Sequence, residues 1–65
     1  MNTAKEKSEL VRDAAAELED SAEDLFLAAN LLERGSLPKV AKIVAAHAFE
    51  IRAIAKRLKG EKPGA

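Results

Sequence analysis

Apolar residues recur along this chain at helical spacing, in two runs separated by a short break. In the first run Val11, Leu18, Leu25 and Leu32 repeat every seven residues, with Ala14, Ser21 and Ala28 between them. In the second run Leu37, Val44, Ile51 and Leu58 form a matching row, with Ala41, Ala48 and Ala55 between. A sustained seven-residue repeat of this kind predicts a helix with one face packed along its length. The break is LLERGSLPKV, residues 31–40. A helix running through Gly35-Ser36-Leu37-Pro38 would lose a backbone hydrogen bond at Pro38 and clash with the preceding turn. The pattern therefore predicts an all-α antiparallel helical hairpin: helix 4–34, turn 35–37, helix 38–59 and a tail over 60–65.

Local signals agree with these limits. Thr3 followed by Glu6 has the spacing of a capping box. Gly35 suits the left-handed residue just past a helix end. Ser36 or Leu37 then caps the second helix, and Pro38 falls in its first turn, where a missing N–H does no harm. Folding the chain at this turn sets Leu32 beside Leu37, Leu25 beside Val44, Leu18 beside Ile51 and Val11 beside Leu58. The same register sets Ala28 beside Ala41, Ser21 beside Ala48 and Ala14 beside Ala55. These fourteen residues are the expected intrachain seam.

Two further faces stay outside that seam. One carries Ala15, Ala22, Phe26 and Ala29 with Ala45 and Phe49. The other carries Leu27, Leu31, Val40, Ile43, His47 and Ile54. Two helices cannot cover both faces, and apolar area on this scale marks an interface. The expectation is a homodimer of hairpins, a four-helix bundle, with the Leu/Val/Ile face as the favoured dimer contact and the Ala/Phe face as the alternative. Phe26 and Phe49, with Arg52 and Lys56 alongside, are then the candidate partner-binding residues, because aromatics beside Arg often anchor interfaces.

Size sharpens this expectation. A chain of 65 residues buries only about 60% of its unfolded surface on folding, so alone it is marginal. There is no Cys, hence no disulfide, and no Cys/His spacing to hold zinc. What is left to stabilise so small a domain is regular helix packing and association. No cofactor is expected.

Charge is neutral overall but divided. Residues 1–34 carry nine acids against four bases, and residues 35–65 carry seven bases against two acids, giving −5 and +5. Opposite charges then face each other across the hairpin edges. The absence of net charge gives no global attraction to nucleic acid or membrane. No apolar run approaches the ~20 residues that span a bilayer, and no secretory signal opens the chain, so a cytoplasmic protein is expected. The acidic run at 17–24 spreads around its helix and reads as a solvated face. Lys56, Arg57, Lys59 and Lys62 complement the dipole of a helix C-terminus.

Catalytic chemistry is thin. His47 is the single histidine, and there is no Tyr or Trp. Ser8 and Ser36 sit at expected helix starts and Ser21 in the seam, so no nucleophile, base and orienting group can be assembled. A non-enzymatic protein is expected.

In length, in its two helices and tight turn, and in a seam alternating large and small residues over 4–59, the chain resembles the Rop-like plasmid copy-number regulators. Those proteins dimerise into a four-helix bundle and hold paired RNA loops on a polar, basic face. The resemblance implies the same bundle and, as an alternative function, RNA binding. In size and style the chain is also similar to small phage early proteins, compact helical modules that bind host regulators or enzymes. That similarity implies a regulator or inhibitor acting on a host protein. A structural or antitoxin-type assembly module is the remaining alternative.

Overall fold

A computed structural model describes residues 3–60, and side chains from residue 6 to residue 60. The chain forms α1 (Thr3–Arg34) and α2 (Pro38–Gly60), joined by a three-residue turn. No other element occurs among the described residues, and the two helices lie antiparallel as a hairpin. The expected tail over 61–65 and the side chain of Thr3 lie outside the described residues. Gly60, expected beyond the end of the second helix, is its last residue.

The turn shows why the reversal is so short. Gly35 N–H still donates to Leu31 O at 2.8 Å, continuing the helix. Ser36 N–H then donates to Glu33 O at 3.1 Å, and Leu37 N–H reaches back to Leu32 O at 2.9 Å. This pair of bonds is a Schellman motif, which satisfies carbonyls that a helix end leaves without partners. The left-handed residue is Ser36, at φ 70°, not Gly35 as the residue types suggest. Leu37 precedes a proline and is held out of the helical region, so the reversal falls one residue after the glycine. Leu37 O accepts the first bond of α2, from Ala41 N–H at 2.9 Å. Leu37 is thus the N-cap and Pro38 the first helical residue.

The helices meet along alanine. The buried residues are Ala15, Ala22 and Ala29 of α1 and Ala41, Ala48 and Ala55 of α2. Each row repeats every seven residues, and alanine on both sides lets the backbones approach closely. This corrects the seam expected for α1. Ala14 and Ser21 are exposed and Ala28 is half-buried, whereas their neighbours Ala15, Ala22 and Ala29 occupy the line of closest approach. Both rows are small and both have the same period, so α1 turns to oppose the row that brings its leucines to the same side of the seam as Val44, Ile51 and Leu58.

Leu18, Leu25, Leu32, Val44, Ile51 and Leu58 therefore flank the alanines on one side and are only half-buried. Val11 and Leu37, the last members of the expected large row, are exposed. Among the described residues no large side chain is fully buried. The chain forms a slab with principal extents of 53 × 22 × 11 Å, one helix thick.

Candidate functional site

Positions on each helix can be measured from its buried alanine at 100° per residue. Phe26, four residues after Ala22, and Arg52, four after Ala48, each stand about 40° to the same side of the seam. Phe49, next to Ala48, stands about 100° round on that side and leans over it. The geometry brings all three together. The Phe26 and Phe49 rings meet edge to face, with centroids 4.8 Å apart and planes at 79°. The Arg52 guanidinium carbon lies 5.7 Å from the centre of the Phe26 ring. Such contacts contribute on the order of 0.5–1 kcal/mol each when exposed. Their larger effect is to hold Phe49 in one orientation although it is 60% exposed.

Phe26 borders two shallow grooves. Toward the open end, a groove of about 410 Å³ runs between Glu19, Asp20 and Glu23 of α1 and Arg52 and Lys56 of α2, with Phe26 against it. Toward the turn, one of about 230 Å³ is lined by Phe26, Ala29, Ala41 and Ala45, with Asn30 and Glu33 on α1 and Lys42 on α2. Both have an acidic edge on α1 and a basic edge on α2. Lys59 Nζ donates to Glu19 Oε1 at 2.9 Å across the helices. Exposed as it is, this pair contributes under about 1 kcal/mol. Phe26, Phe49, Arg52 and Lys56, the residues read from sequence as a partner surface, thus lie on one face. The sequence pattern placed them on one side, but the ring contact and the Glu19–Lys59 bridge were not anticipated. The spacing of Phe26 and Arg52 from their alanines was the available signal.

The opposite face is aliphatic. Val40 and Ile54 are exposed there, next to the half-buried row of Leu18, Leu25, Leu32, Val44, Ile51 and Leu58, while exposed Ile43, grouped with them by sequence, stands about 140° round α2 from Ala48, on its outer edge. His47 is exposed on the same face, with Nδ1 3.3 Å from Glu50 Oε1. Leu27 and Leu31, grouped with this face by sequence, stand apart from it. They lie about 140° and 180° round α1 from Ala22, on its outer side, and each is 64% exposed. Ala14, Ser21 and Ala28 take their place, some 80–120° from the seam on the aliphatic side.

Among the described residues, no group of three or more His, Cys, Asp or Glu is placed to hold a metal ion. No helix is long and apolar enough to cross a membrane. No protein-family model, curated protein or solved structure matches this chain.

Proposed function

We propose that this chain is a non-enzymatic regulator that works as a homodimeric helical hairpin by binding another protein. Its aliphatic face closes the dimer, and its aromatic face engages the target. On this reading it is a cytoplasmic regulator or inhibitor of a host protein, of the kind encoded by phages and mobile elements. The observation that carries the reading is the Phe26–Phe49–Arg52 cluster. Exposed Phe49, braced by the Phe26 ring that Arg52 in turn covers, loses little conformational freedom on binding, which is what an interface anchor needs.

RNA binding, the Rop-like alternative, fits this face less well. Arg52 and Lys56 stand opposite Glu19, Asp20 and Glu23, and these carboxylates repel a phosphate backbone. Nucleic-acid binding that weakens steeply with salt would favour that alternative.

The test is a tagged chain used to recover its target from a lysate, beside Phe49→Ala. One protein recovered with the native chain and lost with the variant, while both chains sediment as dimers, supports the proposal. Recovery unaffected by Phe49→Ala overturns the assignment of the aromatic face.

A further inference from the structure

We infer that the aliphatic face is covered by a second copy of this chain in one particular orientation: turns at the same end, each α1 lying on the α2 of its partner. The inference deepens the dimer proposed above and rests on it. Three observations carry it.

The first is area. Between Val11 and Leu32 the aliphatic side of α1 bears no charged residue within about 100° of the seam, and neither does the same sector of α2; Glu17 and Asp24 of α1 and Glu50 and Arg57 of α2 form its outer edges. That stretch is about 33 Å long at 1.5 Å per residue. Across the 22 Å width of the slab it offers on the order of 700 Å², close to the ~800 Å² per partner of a stable interface. A slab one helix thick has no second layer of its own, and domains are built from at least two.

The second is shape. Ala14, Ser21 and Ala28 make a row of small residues on α1, while Val40, His47 and Ile54 make a row of larger ones on α2. Counting from the turn, Ala28 is level with Val40, Ser21 with His47, and Ala14 with Ile54. A two-fold axis parallel to the helices lays the large row of each copy into the small row of the other at every level. An axis across the helices, which puts the turns at opposite ends, instead stacks small on small and large on large.

The third is charge. α1 has nine acids against four bases, net −5, and α2 has six bases against one acid, net +5. With the turns at the same end, every adjacent helix pair is acidic against basic. With the turns at opposite ends, α1 lies on α1 and α2 on α2, so like charges meet along the edges.

This arrangement gives the polar residues of the face a role. Each Ser21 hydroxyl meets His47 of the partner subunit at the central level. With Nδ1–H donated to Glu50, Nε2 is left to bond the serine hydroxyl. A buried polar pair of this kind fixes register where an all-aliphatic face would allow sliding.

The native chain has no cysteine, so Glu9→Cys can carry a single spin label on the outer side of α1. Sedimentation and label-to-label distance are then measured on the same sample. The expected result is a dimer with labels less than about 30 Å apart, because the two α1 helices are diagonal neighbours in a bundle with ~10 Å between adjacent axes. Turns at opposite ends would separate the labels by at least about 36 Å, since residue 9 lies twelve residues from the Ser21 level at 1.5 Å each. A monomer overturns the proposed dimer as well as this inference. A dimer with the long distance overturns the orientation alone.

Ser21→Leu and His47→Ala provide the second reading. Each alone should weaken self-association by about tenfold or more, as overfilled or emptied contacts do. Mixing the two variants should restore association, because the new leucine of one chain then meets the new alanine of the other. Failure of the mixture to associate better than either variant overturns the Ser21–His47 juxtaposition.

Discussion

The two faces of this hairpin are both apolar and both open, yet they are built differently. The aromatic face holds two rings and a guanidinium in fixed contact, between an acidic and a basic edge. The aliphatic face is a broad field of half-buried and exposed Leu, Val and Ile, with Ser21 and His47 as its polar centre. A small ordered cluster ringed by charge suits recognition of a partner. A wide uncharged field suits permanent burial. On the proposed reading, exposure of apolar area does not by itself mark a binding site; its rigidity and its charged surroundings separate the two uses.

Four substitutions break or sharpen this contrast. The largest effect belongs to the aliphatic face. Ile54→Glu puts a charge into the proposed dimer contact, where an unpaired buried charge costs several kcal/mol. Sedimentation should show monomer at concentrations where the native chain is dimeric, with loss of helicity by circular dichroism. Retention of the dimer would move its contact to the other face.

Ala48→Leu comes next and bears on both faces, because it separates the helices that carry them. Ala48 is fully buried, and overpacking at such a site costs about 1–3 kcal/mol. Thermal melting should fall, whereas Ala14→Ser, on the exposed row, should leave the seam undisturbed.

Phe49→Ala has a smaller effect on stability. Loss of the edge contact with Phe26 removes about 0.5–1.5 kcal/mol, and the dimer should persist while target binding disappears. Loss of 3–5 kcal/mol, the usual consequence of truncating a buried Phe, would show in the melting curve and make the aromatic face the dimer core.

The smallest effect lies in the turn. Ser36 holds φ 70°, a region that costs a side-chain-bearing residue about 1–2 kcal/mol relative to glycine. Ser36→Gly gives back part of this through greater freedom in the unfolded chain. The melting midpoint should rise slightly, with neither face altered.

The hairpin itself was legible from Gly35, Pro38 and the seven-residue rows, because a break flanked by two helical periods has few other solutions. The tight row of α2 was legible for the same reason: Ala41, Ala48 and Ala55 are the one small row that flanks Val44, Ile51 and Leu58. α1 has two such rows, at 14/21/28 and 15/22/29. Periodicity gives their period and leaves their phase open, and the packing of the leucines decides between them. Ser36 illustrates a second limit. Glycine is the favoured left-handed residue, but the demand of Pro38 on Leu37 acts over the neighbouring bond and shifts the reversal by one residue. On the candidate surface, the side occupied by Phe26 and Phe49 followed from the helical wheel. Their contact depended on how closely the alanines bring the two backbones together.

The alanine seam also has a consequence for how the chain comes to be folded at all. Six alanine methyl groups are all that this hairpin buries by itself among the described residues. On the dimer reading, most of the driving force arrives only when a second copy covers the leucines, so folding and association become a single bimolecular event. The population of folded chain then depends on total concentration, as it does for homodimers with no stable folded monomer. Dilution would unfold the protein and accumulation would fold it, making the amount synthesised a threshold for activity with no other ligand involved.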